Sequence, residues 1–273
     1  MNTNGQLRLA LACWALLLAA GPGMAADAPQ HPSALKYEPI TYDPPRPADH
    51  RAVLSNGMIV FFKEDHSLPT LEVSALIRTG SLYDPPDKAG LASLTGTVMR
   101  SGGTQNVPAD DLDERLAFLG ATISTSIGRT SGDADLFVLA KDAVEGLKLF
   151  ADVLMRPAFA EKKLELARNQ ALAAVRNRND NPRGVLGREF DQLLYGDHPL
   201  VREDTMESVT GLTRQDLVDF HQQYFAPNNV ILAAAGDFTK EEMLKLLEQA
   251  FAGWAAREIN HPEVPAVVPT NRP

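Results

Sequence analysis

The stretch GLASLTGTVMRSGG, residues 90–103, decides how this chain is read. It has the length, phasing and flanks of a helix. The preceding DPPDKAG offers Asp84 and Asp87 as candidate caps, with Pro85 and Pro86 at or before a first turn. Gly102 and Gly103 supply the stop. Ser93 and Thr97 stand four residues apart, on one face. Metal chemistry on that face needs two His and an acid; the chain has Ser93, Gly96 and Thr97 instead.

The elements around it suggest one α+β domain, an antiparallel or mixed sheet covered by helices in two layers. RAVLSNGMIVFFKED reads as a hairpin, with Asn56-Gly57 as a tight turn taking positive φ at both residues. LEVSALIRTG alternates as a half-buried strand does. ADDLDERLAFLG is an amphipathic helix ending at Gly120, and ATISTSIGRTSGDADLFVLAK is two strands with Leu136, Val138 and Ala140 on one face. Three helices follow: DAVEGLKLFADVLM, stopped by Pro157; EKKLELARNQALAAVRNRND, stopped by Pro182; and RGVLGREFDQLLYG. TRQDLVDFHQQYF is a helix capped by Thr213, NNVILAAAGD a buried strand, and KEEMLKLLEQAFAGW the last helix.

The ends read differently. Residues 1–25 have Arg8, an apolar run from Leu9 to Ala20 and a small-residue pattern before Ala26. That is the layout of a cleavable secretory signal, and the run is too short for a span of roughly 20 residues. Cys13, the single cysteine, lies inside the run, so cleavage after Ala25 leaves a chain without a thiol. This excludes disulfides, a Cys-ligated zinc and a cysteine nucleophile, and it suits the bacterial periplasm. Residues 26–50 are a Pro-rich leader, residues 51–255 the domain, and residues 256–273 a Pro-rich linker to a second domain. Formal charge is −9, and losing Arg8 with the signal makes it −10, which argues against general nucleic-acid binding.

No catalytic constellation is visible. The histidines at 31, 50, 66, 198, 221 and 261 include no pair three or four residues apart. His198 reads as a loop or capping histidine rather than a ligand, and His221 as bordering the core. G-x-S-x-G and the phosphate loop are both absent. Ser93 has no base in its local sequence to activate it, and the carboxylates of ADDLDER make a solvated face.

The order of motifs nevertheless resembles the N-terminal homology domain of the insulinase and mitochondrial-processing-peptidase family, the pitrilysin-type zinc proteases. The resemblance runs from Arg51 to Trp254 through LSNGMIVFFKED, IRTGSLYDPPDKAGLASL, SGGT, LDERLAFLGATIS, DVLMRPAF, NDNP, LLYGDHPL, DLVDFHQQYFAPNNVILAAAGDF and FAGW. No single piece is specific; their number, order and spacing carry the likeness. Active members have G-L-A-H-x-x-E-H where this chain has GLASLTGT. The resemblance therefore puts Ser93 and Thr97 at the positions of the zinc-binding His and Gly96 at that of the catalytic Glu. Glu165 matches the third ligand, which alone cannot hold zinc.

What the resemblance implies is a non-catalytic subunit of a periplasmic heterodimeric metalloprotease, inactive alone. It would wall half of a chamber for unfolded peptide, while a homologous partner bearing H-x-x-E-H carries the zinc. No cofactor is expected on this chain. A protease-like scaffold without peptide turnover is the alternative, and direct catalysis by another site ranks last.

Overall fold

The computed structural model describes residues 46–267 continuously, and before them residues 31, 35, 37, 42 and 44. The signal of residues 1–25 and most of the leader lie outside the described residues. All the elements below fall in the unit that begins at Pro45.

A short helix α1 (Pro47–His50) leads into β1 (Arg51–Val53) and β2 (Ile59–Glu64), which pair antiparallel. The turn between them spans Leu54 to Met58, longer than the tight two-residue turn expected. Only Gly57 takes positive φ, 86°; the Asn56 side chain instead accepts from the Met58 amide at 3.1 Å. The side-chain acceptor serves the backbone in place of a left-handed Asn.

β3 (Thr70–Ile77), α2 (Leu91–Ser101), α3 (Ala109–Leu119), β4 (Thr122–Ile127) and β5 (Gly132–Leu139) follow. Ala140 opens a 3-10 turn rather than extending β5 with Leu136 and Val138. Then come α4 (Ala143–Met155), α5 (Glu161–Asn177) and α6 (Pro182–Tyr195). Pro182 does not stop α5, which ends at Asn177; it is the first residue of α6. Asn181 caps that helix by accepting from the Arg183 and Gly184 amides, so proline sits where its missing N–H costs nothing.

α7 (Met206–Gly211), α8 (Arg214–Tyr224), β6 (Val230–Gly236) and α9 (Lys240–Ala250) complete the fold. Thr205, Thr213 and Thr239 each close a reciprocal capping box, with Ser208, Asp216 and Glu242. The six strands run in the order β1-β2-β6-β3-β5-β4, with β2 and β6 parallel and every other pair antiparallel. The domain is thus α+β with a mixed sheet.

One face of the sheet, carrying Val60, Val73, Leu136 and Leu232, is buried under the helices. The other face exposes Phe61, Leu76, Phe137 and Ile231. β6, expected to be buried on both faces, is therefore only half-buried: its continuous apolar run covers a strand whose Ile231 and Ala233 face outward. Among the described residues no helix is long and apolar enough to cross a membrane.

The Pro-rich segment after α9 is tied to the domain as far as Pro265. Arg257 donates from its backbone to Asn228 and from its guanidinium to the Phe225 carbonyl. His261 meets the Arg78 carbonyl at 3.0 Å, and His198 meets the Pro265 carbonyl at 2.8 Å.

Candidate functional site

The loop before α2 is fixed by one buried carboxylate. Asp84 accepts from the Gly90 amide through one oxygen and from the Ala92 amide through the other, both at 3.0 Å. It therefore caps α2 from outside the first turn, while Asp87 does not. Gly90 itself stands at the N-cap with φ 97°, a backbone setting that a Cβ disfavours. Burial drives the Asp84 carboxyl up to about 7, against the two amides and Arg202, which hold it down. Arg202 also donates to the Asp84 carbonyl at 2.6 Å, and Ser208 to that of Ala89 at 2.8 Å. The start of α2 is thus anchored by residues more than a hundred positions away. None of this was legible as local spacing; a capping role for Asp84 was.

α2 then divides cleanly. Leu91, Ala92, Leu94, Thr95, Gly96, Val98 and Met99 are buried, and Ser93 and Thr97 are exposed. The Thr97 hydroxyl donates back to the Ser93 carbonyl at 2.9 Å, as Thr95 does to Leu91 at 2.8 Å. Such bonds leave the hydroxyl serving its own helix. Gly96 faces β4: its carbonyl accepts from the Thr125 hydroxyl at 2.6 Å. A Cβ on Gly96 would lie 2.4 Å from the Ile127 amide nitrogen, so helix and strand touch backbone to backbone here.

α5 packs against α2, with Glu165 half exposed and ion-paired to Arg168 on its own helix. Arg168 also donates to the Leu212 carbonyl at 2.6 Å. The donor set does not fit zinc. Two neutral hydroxyls, a glycine and a carboxylate already paired with a guanidinium lack the imidazoles and the acid such a centre uses. Among the described residues no group of three His, Cys, Asp or Glu is arranged to hold a metal ion. Nor, among the described residues, does a titratable side chain hydrogen-bond to the Ser93 hydroxyl and activate it.

His221 and His198 serve the fold. His221 is buried, meets the Leu154 carbonyl at 2.8 Å and stacks on Phe225; burial pulls its pKa down to about 4. Its Nε2 must carry the proton, because the partner is a carbonyl. His198 caps a 3-10 turn, with Nδ1 accepting from the Leu200 amide at 3.1 Å.

This pairing of a mixed six-stranded sheet with a buried small-residue helix is that of a peptidase-like domain of inactive type. The chain belongs to the family described as Insulinase (Peptidase family M16), which matches residues 59–204; the description Peptidase M16 inactive domain matches residues 211–273. A protein of Mycobacterium leprae named an uncharacterized zinc protease is 28% identical over 204 residues, covering 74% of this chain and 45% of the relative. Subunit 1 of the mitochondrial cytochrome b-c1 complex of Bos taurus is 26% identical over 202 residues, covering 73% of this chain and 42% of that one. The chain thus spans less than half the length of these relatives.

Among solved structures, a peptidase M16 inactive domain from Pseudomonas fluorescens matches with TM-score 0.67 and 27% identity, over 78% of this chain and 53% of that one. The first half of the periplasmic protease PqqL from Escherichia coli matches with TM-score 0.72 over 80% of this chain and 48% of that one; at 16% identity, this shows the fold alone.

Proposed function

We propose that this chain is the non-catalytic member of a two-subunit metalloprotease of the periplasm, exported by the signal in residues 1–25. Hydrolysis and zinc belong to a homologous partner bearing H-x-x-E-H; this chain supplies chamber wall and peptide contacts. The observation that carries the reading is the state of α2. On the resemblance, Ser93, Gly96 and Thr97 stand at the ligand and base positions of the family's site, and Gly96 is packed against β4.

β4 gives the peptide role a physical form. It pairs with β5 on one side only and is the edge of the sheet, beside α2. Outside the segment at Ser126 and Ile127 that packs on Gly96, this edge would let an extended peptide add as a strand, without demanding a particular sequence.

A second reading, a protease-like assembly protein without peptide turnover, draws support from the likeness to a cytochrome b-c1 complex subunit. An affinity pull-down of the tagged mature chain from periplasmic extract, read by mass spectrometry, separates the two. The protease reading predicts a homologous H-x-x-E-H chain in near-equal amount. Only unrelated partners in that eluate sink it in favour of the assembly reading.

A further inference from the structure

We infer that Gly96 is a packing residue whose contact with β4 locks this site in its non-catalytic form, so that restoring the three lost side chains does not rebuild a metal centre. The inference rests on the reading of α2 as the family's former site helix. It goes beyond that reading by assigning the loss to backbone geometry as well as to side-chain identity.

A Cβ at position 96 would stand 2.4 Å from the Ile127 amide nitrogen, 2.8 Å from the Ser126 carbonyl carbon and 3.0 Å from Ile127 Cγ1. The two nearest atoms are backbone, so no rotamer change relieves the contact. Gly146 on α4 provides the contrast: a Cβ there would meet only side-chain carbons of Val138, at 3.1 to 3.2 Å, and that valine can be trimmed. Next to the Gly96 contact, Thr125 donates to the Gly96 carbonyl at 2.6 Å. Helix and strand are therefore held together at adjacent points, one steric and one hydrogen-bonded.

Ser93 and Thr97 are in the opposite situation. Both are exposed, so a larger side chain at either position meets solvent. The three former site positions thus divide: two accept substitution, and the base position is closed. A glutamate at 96 has to lift α2 off β4, breaking the Thr125 bond as it does so.

The test uses the mature chain and thermal unfolding, with zinc binding followed by titration calorimetry. S93H/T97H is expected within about 2 °C of the parent, as surface changes are. G96A is expected to fall by roughly 5 °C or more, in line with overpacking. G96A/I127A should recover none of that fall, because the backbone nitrogen remains. S93H/G96E/T97H should fall at least as far as G96A and bind zinc no more tightly than S93H/T97H.

A triple variant as stable as S93H/T97H, a G96A variant as stable as the parent, or rescue by I127A would each overturn the inference. Should the triple variant not fold, the G96A pair still decides. No partner or peptide enters these measurements, so their failure is distinct from failure of the proposed function.

Discussion

Thr125 on β4 donates its hydroxyl to the carbonyl of Gly96 on α2 across 2.6 Å, tying the edge strand to the middle of that helix. The bond is short and partly buried, and it sits beside the contact of Gly96 with the Ile127 backbone. Replacing Thr125 by Val keeps the shape and removes the donor. T125V is expected to cost about 1 kcal/mol, read as a drop of roughly 2–4 °C in Tm for a domain of this size. An unchanged Tm would show the bond to be incidental to the packing.

Two buried groups set opposing pH dependences. Asp84, pushed up to about 7 by burial, holds its proton more tightly when folded, so its contribution makes stability fall as pH rises from about 4 to 7. His221, pulled down to about 4, takes its proton more readily when unfolded, so its contribution makes stability rise from about pH 4 to 6.5. Each amounts to on the order of 3 kcal/mol across its window, and between pH 4 and 6.5 they offset. Denaturant midpoints of D84N should therefore rise with pH over that interval, and those of H221F should fall. The slope is the readout, since each substitution also shifts the whole curve by removing a hydrogen bond. Parallel slopes in the two variants would refute the assignment.

Ser93 and Thr97 bear no load. Both are exposed, and the Thr97 hydroxyl bonds only within its own helix. S93A/T97A is expected within about 0.5 kcal/mol of the parent, as exposed positions are. It should also leave recovery of the H-x-x-E-H partner in the pull-down unchanged. Loss of that recovery would make this face part of the subunit contact.

Local signals in the sequence translated well. Thr213 as a cap, Gly102 and Gly103 as a stop and Gly120 as the end of α3 all follow from interactions within one turn, which neighbouring residues determine. The hairpin turn was misjudged because the Asn56 side chain, rather than a left-handed backbone, satisfies the Met58 amide. Pro182 was misjudged because proline both ends and opens helices, and only the Asn181 cap decides which.

What spacing could not supply is the set of contacts made across the fold: the parallel neighbour β2 beside β6, Arg202 on the Asp84 loop, and β4 against Gly96. An unexplained glycine inside a helical pattern was the one trace of that last contact, and its partner strand lies about thirty residues away. Ser93, Gly96, Thr97 and Glu165 were singled out by the resemblance alone. The structure brings the helices of all four together, with Glu165 turned to Arg168.

The central claim is that this chain does no hydrolysis of its own. The most direct test is hydrolysis of a mixture of unfolded peptides by the purified mature chain, with and without added zinc, followed by mass spectrometry. The account predicts no cleavage above buffer in either case. Cleavage that co-purifies with the folded chain and disappears on its thermal unfolding would contradict it.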